Sequence, residues 1–103
     1  MPWRIVVTPE ARDQLDSIYG YIAEAASPAI AERFTSAIVD HLGALADHPH
    51  IGAPRDDLRP GLRTLTHRRR VTIAFVVEDA TVVVIGFYYG GQDFEALVHE
   101  DQP

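Results

Sequence analysis

The chain reads as an α+β domain of two layers: an N-terminal strand, an antiparallel helical hairpin, then a three-stranded antiparallel sheet, in the order β-α-α-β-β-β. Three observations lead there. Residues 3–8 alternate with period two. Two amphipathic stretches follow, each opened by a proline, with only a short break between them. From residue 62 to residue 90 the chain is then dominated by β-branched and aromatic residues.

The first strand rests on Trp3, Ile5 and Val7 alternating with Arg4, Val6 and Thr8. Thr8-Pro9-Glu10 is a helix start, with Thr8 as N-cap, Pro9 at the first helical position and Glu10 near the positive end of the dipole. Ala11, Leu15, Ile18, Ile22 and Ala25 follow at helical spacing, which predicts about four turns. Ser27-Pro28 repeats the signal, and Ile30, Phe34, Ala37, Ile38, Leu42 and Leu45 form the second stripe. That helix should stop near Asp47-His48, ahead of Pro49. A connector of two or three residues makes the pair an antiparallel hairpin.

Residues 49–61, PHIGAPRDDLRPG, hold three prolines and two glycines and are predicted as loop. Strands are predicted at 62–67, 70–78 and 81–90, with Glu78-Asp79-Ala80 as the turn of a closing hairpin. In the middle strand Val71, Ile73, Phe75 and Val77 share one face, and Thr72, Ala74, Val76 and Glu78 the other. Two helices on one face leave the second face partly open as a binding surface. Tyr88 and Tyr89 alternate, so one should pack and the other be exposed. Tyr19 and Tyr21 read as residues at the edge of the core.

At 103 residues the chain has room for one domain, spanning 1–103. An apolar fraction of 47% excludes a disordered chain. No apolar run is long enough to cross a membrane, and the start lacks the apolar stretch of a secretory signal. With no cysteine, thiol catalysis and thiolate metal sites are excluded. A cytoplasmic protein without cofactors is the expectation. His48 and His50 lack a third ligand at regular spacing, so no metal site is expected, and His48 reads as a helix C-terminal residue.

Net charge is −6, but unevenly placed. Residues 55–70 carry six arginines (Arg55, Arg59, Arg63, Arg68, Arg69, Arg70) against Asp56 and Asp57, a local +4. The remaining chain sets three arginines against thirteen carboxylates, −10. One basic region on an acidic body excludes a protein that binds nucleic acid over its whole surface and points to a directed contact.

Several stretches together resemble the RelE/ParE superfamily of toxins from bacterial type II toxin–antitoxin pairs. TPEARDQLDSIYGYIAE resembles the family's first helix. His48-Pro49, Gly52-Ala53-Pro54 and Gly61-Leu62-Arg63 resemble its connector. RVTIAFVVEDATVVVIGFYYGGQDFEAL resembles its closing hairpin. In the ParE branch that hairpin commonly ends in a V-x-H-G-x-x-D pattern; here Tyr89-Gly90-Gly91-Gln92-Asp93 stands there, with tyrosine for histidine. The resemblance covers Ile5 to about Leu97 and favours the ParE branch, which implies a toxin that poisons DNA gyrase and is silenced by a cognate antitoxin.

On that reading Tyr88, Tyr89, Gln92, Asp93 and Phe94 would face the target. Arg63, Arg68, Arg69 and Arg70, with Ile18, Ile22 and Phe34, would take the antitoxin. The arginines could also meet DNA held in the gyrase complex. The RelE branch implies the alternative, a ribosome-dependent mRNA endonuclease, for which Arg63, His67, Arg70 and Tyr89 would be the catalytic candidates. A third reading is a non-toxic relative that still binds antitoxin.

Overall fold

A computed structural model describes residues 3–90. The order of elements is β1 (Arg4–Val7), α1 (Pro9–Ala25), α2 (Pro28–Asp47), β2 (Ala53–Pro54), β3 (Leu62–His67), β4 (Val71–Glu78) and β5 (Thr81–Tyr89). Both predicted caps form. The Thr8 hydroxyl accepts from the Ala11 amide at 3.2 Å, and that of Ser27 from the Ile30 amide at 3.1 Å. Each satisfies one of the amides a helix start leaves orphaned.

The sheet has five strands in the order β1-β5-β4-β3-β2. Strands β2 to β5 are antiparallel, while β1 lies parallel to β5 with Arg4 opposite Thr81 and Val7 opposite Val84. The expected three-stranded antiparallel unit is therefore the centre of a larger mixed sheet. The predicted loop 49–61 hides a two-residue edge strand, Ala53–Pro54, paired with Thr64 and Arg63. Proline tolerates such a position because an edge strand needs no ladder on its outer side. Next to it, Gly52 packs so closely that a Cβ would sit 2.7 Å from the Thr64 carbonyl oxygen and 2.9 Å from the Phe75 ring.

Both helices pack on one sheet face. Ala11, Ile18 and Ile22 of α1 and Ala31, Ile38, Leu42 and Leu45 of α2 meet Val71, Ile73, Phe75, Val82, Val84 and Phe87. Full burial of each large side chain among them is worth about 1.5–3 kcal/mol. The opposite face is less open than expected. Leu58, from the loop before β3, covers Leu62, Ala74, Val76 and Tyr88, with Val83 and Ile85 at the margin.

Strand β5 changes phase. Ala74 pairs with Gly86 but Phe75 pairs with Val84, leaving Ile85 as the extra residue of a β-bulge. Before it, Val82 and Val84 face the helices; after it, Phe87 and Tyr89 do. Tyr88 is thereby turned to the far face, where its ring folds back over Gly86; a Cβ on Gly86 would sit 2.5 Å from the Tyr88 hydroxyl.

Candidate functional site

The arginines of the basic region divide into two groups. Arg55 forms an ion pair with Asp57 at 3.0 Å. Arg59 lines the same groove as Glu10 and Glu78. The Arg63 guanidinium donates to the carbonyls of His50 (2.7 Å) and Gly52 (2.6 Å), and its Nε is buried without a partner among the described residues. Arg63 is thus a brace holding the 49–54 segment against β3. Charge-assisted bonds of this kind are among the stronger ones a chain makes.

Arg68, Arg69 and Arg70 differ: all three are exposed, and no carboxylate among the described residues pairs with them. They form the loop between β3 and β4. The Arg70 amide donates to the His67 carbonyl at 2.9 Å, closing a turn whose central residues, Arg68 and Arg69, have φ of 51° and 59°. Two consecutive positive φ values are the pattern of a type I′ turn, which favours Asn-Gly.

Beneath this turn lies a ladder of rings. His67, only 4% exposed, shares a hydrogen bond with His41 of α2, Nδ1 to Nδ1 at 2.9 Å. Its Nε2 is buried with no partner among the described residues. Burial, then the charges of His41 and Arg68, lower the His67 pKa below its ordinary value of 6.5. Phe34 stands edge-on to both His67 and Tyr89, and Tyr21 tilts against Tyr89 at 5.5 Å between centroids.

Past Val84, no strand among the described residues lies on the outer side of β5, because β1 ends at Val7. Gln14 of α1 substitutes for one: its Oε1 accepts from the Phe87 amide at 2.9 Å. Between α1 and this edge runs a groove of about 500 Å³ lined by Gln14, Ser17, Ile18, Tyr21, Phe87 and Tyr89.

This arrangement redistributes the residues singled out in the sequence. His67, Arg70 and Tyr89 come to one end of the sheet, since Val71 pairs with both His67 and Tyr89. Arg63 does not join them; four residues along β3 separate it from His67, about 13 Å. Tyr88 is 3% exposed and packs on the far face, so it offers little surface to a target, because the bulge turns it away. Ile18 and Ile22, at 5% and 8% exposed, lie in the core. Phe34 is half-buried in the ring ladder, and Tyr89 is partly exposed. Tyr21 is 59% exposed, further out than a core-edge residue. Gln92, Asp93 and Phe94 lie outside the described residues. Among the described residues no three metal-ligating side chains converge, and no helix is long and apolar enough to cross a membrane.

Two contributors escaped the sequence reading. His41 stands at helical spacing with Phe34, Ile38 and Leu45, so a polar residue on a buried stripe was a signal to be found. Gln14 left no such mark.

Comparison with known proteins follows the same lines. A family model for the ParE toxin of the type II toxin–antitoxin system parDE matches residues 5–94. Among solved structures, a chain of the chromosomal ParDE toxin–antitoxin system from P. aeruginosa is 26% identical, with a TM-score of 0.76 over 85% of this chain and 96% of that one. A chain of the RelBE2 toxin–antitoxin complex from Mycobacterium tuberculosis is 19% identical, with a TM-score of 0.68 over 86% of this chain and 99% of that one, a likeness of fold. No curated protein matches significantly. With the family match running from β1 beyond β5, over the strand order and helical hairpin described above, the chain belongs to the ParE toxin family of type II toxin–antitoxin systems.

Proposed function

We propose that this chain is a toxin that acts by binding DNA gyrase and is held silent by a cognate antitoxin. The observation that carries the choice of binding over RNA cleavage is the state of Arg63 and His67. Cleavage of RNA by its own 2′-hydroxyl needs a cation and a proton-transfer group converging on one phosphate. Here Arg63 is committed to two backbone carbonyls, and His67 is buried against His41 and Phe34. Two of the four residues that would serve a nuclease, Arg63 and His67, serve the fold instead.

The gyrase-facing surface is the outer end of β5 with the groove beside it, where Tyr21 and Tyr89 are presented. The antitoxin docks on the outer side of the helical hairpin. Leu15, Tyr19 and Val39 line a groove between α1 and α2 there, with Val39 53% and Tyr19 37% exposed, which suits the apolar stripe of a partner helix. The ParDE and RelBE2 neighbours are themselves parts of toxin–antitoxin systems, which supports an antitoxin partner here.

Titrating the purified protein into a plasmid supercoiling reaction run by gyrase tests the target. Loss of supercoiling with linear DNA accumulating is the expected result. Unchanged supercoiling at large molar excess overturns the gyrase reading.

A further inference from the structure

We propose that the Arg68-Arg69-Arg70 turn is a contact for the phosphate backbone of duplex DNA. The proposal goes beyond the gyrase reading, since it concerns what the protein does to the duplex itself. Two independent observations carry it. First, of six arginines in the basic region, these three are exposed, adjacent, and unpaired with any carboxylate among the described residues, on a body otherwise strongly acidic. Second, Arg68 and Arg69 both hold left-handed backbone, at φ of 51° and 59°, in a turn that glycine or asparagine makes without strain. A β-carbon and a long charged side chain at two such positions oppose folding. Strain of this kind, kept on an exposed loop that adds nothing to the core, marks a functional demand on the side chains.

Their chemistry narrows the partner. Guanidinium forks recognise phosphate and carboxylate alike. An acidic peptide that folds on binding also needs apolar seats, and the end of β3 that leads into the turn offers none: Thr66 is exposed and polar, and His67 is buried. Single-stranded nucleic acid is held chiefly by stacking on aromatic rings. The rings nearest the turn, His67, Phe34 and Tyr89, are already packed on one another. What remains is a compact tripod of positive charge, suited to the dense phosphates of a duplex and indifferent to sequence.

The test uses the full chain and a labelled 20-base-pair duplex, read by fluorescence anisotropy as salt is raised from 50 to 200 mM. Three phosphate contacts give a slope of log K against log salt of about −2.7, hence about a 40-fold loss of affinity over that range. Two variants separate charge from fold. R68N/R69G installs the preferred turn: its Tm should rise by about 4 °C or more while the slope shrinks to about −0.9. R68Q/R69Q keeps the long side chains and strained backbone and should lose the same binding. No measurable binding by the wild-type chain at 50 mM salt overturns the proposal, as does undiminished binding by either variant. A Tm for R68N/R69G at or below that of wild type overturns the strain argument and the proposal with it. Tighter binding to a single strand of the same length, or displacement of the duplex by an equal charge of polyglutamate, assigns the turn to another partner and overturns it as well. Gyrase is absent throughout, so the supercoiling result and this one fail separately.

Discussion

The two ends of the sheet solve the same geometric problem with opposite chemistry. At one end β3 turns into β4 through Arg68-Arg69-Arg70; at the other β4 turns into β5 through Asp79-Ala80. Both turns use left-handed backbone, at Arg68 and Arg69 in one and at Asp79 (φ 51°) in the other. Aspartate is among the residues that enter this region readily, because its short side chain can bond locally. Arginine has no such help. The arginines of the two ends differ as well. Near the acidic turn Arg63 is committed to backbone and Arg59 lies in a groove with Glu10 and Glu78; at the basic turn three guanidiniums are exposed and pair with no carboxylate among the described residues. A total of charge therefore says little until its partners are known: Arg55 and Arg63 are bonded within the fold, while Arg68, Arg69 and Arg70 stand exposed.

The largest expected effect tests the structural half. Arg63→Ala removes two charge-assisted bonds and should cost about 2–3 kcal/mol in urea unfolding. A variant as stable as wild type would mean that this guanidinium is as available as those of the turn. The next largest is the stabilisation of R68N/R69G, about 1–2 kcal/mol in the same measurement. Gln14→Ala should cost about 1 kcal/mol by leaving the Phe87 amide without its acceptor. Faster hydrogen exchange at that single amide would identify the cause.

Smaller still is a pH effect confined to the basic end. Burial, His41 and Arg68 hold the His67 pKa below 6.5 in the folded chain, so the unfolded chain takes up the proton first. Stability should fall as pH drops through 6.5, and the loss should stop growing below the folded value. Tm followed from pH 7.5 to 5.5 should show this fall in wild type, and His67→Phe should flatten it. Smallest of all, Asp79→Asn should change stability by no more than about 0.5 kcal/mol. A shift as large as that of R68N/R69G would erase the contrast between the turns.

Much of the fold was legible because its signals are local. Thr8-Pro9 and Ser27-Pro28 announced both helices, and the alternation of Val71, Ile73, Phe75 and Val77 told which residues face them. What was not legible depends on partners distant in sequence. Nothing in Arg4–Val7 says that it will lie parallel to Thr81–Val84, and nothing in Ala53–Pro54 announces pairing with Arg63 and Thr64. The site was harder for the same reason. The arginine cluster was visible as charge, but only the hydrogen bonds of Arg63 and the exposure of Arg68, Arg69 and Arg70 sort bracing residues from free ones. Ile18, Ile22 and Tyr88 were expected at a surface and lie inside, since an apolar stripe has the same spacing whether it meets its own sheet or another chain.

The extra residue at Ile85 has one more consequence. Everything after it, Gly86 through Tyr89, owes its facing to the bulge, which takes up that one residue outside the ladder. Straightening the bulge while keeping Ile85 would act on the strand as a frameshift acts on a message: Tyr88 would be read toward the helices and Tyr89 toward the far face, whereas deleting Ile85 would leave both as they are. Whether a strand takes up a residue here as a bulge or pairs it in the ladder therefore decides which of two opposite surfaces the same text displays.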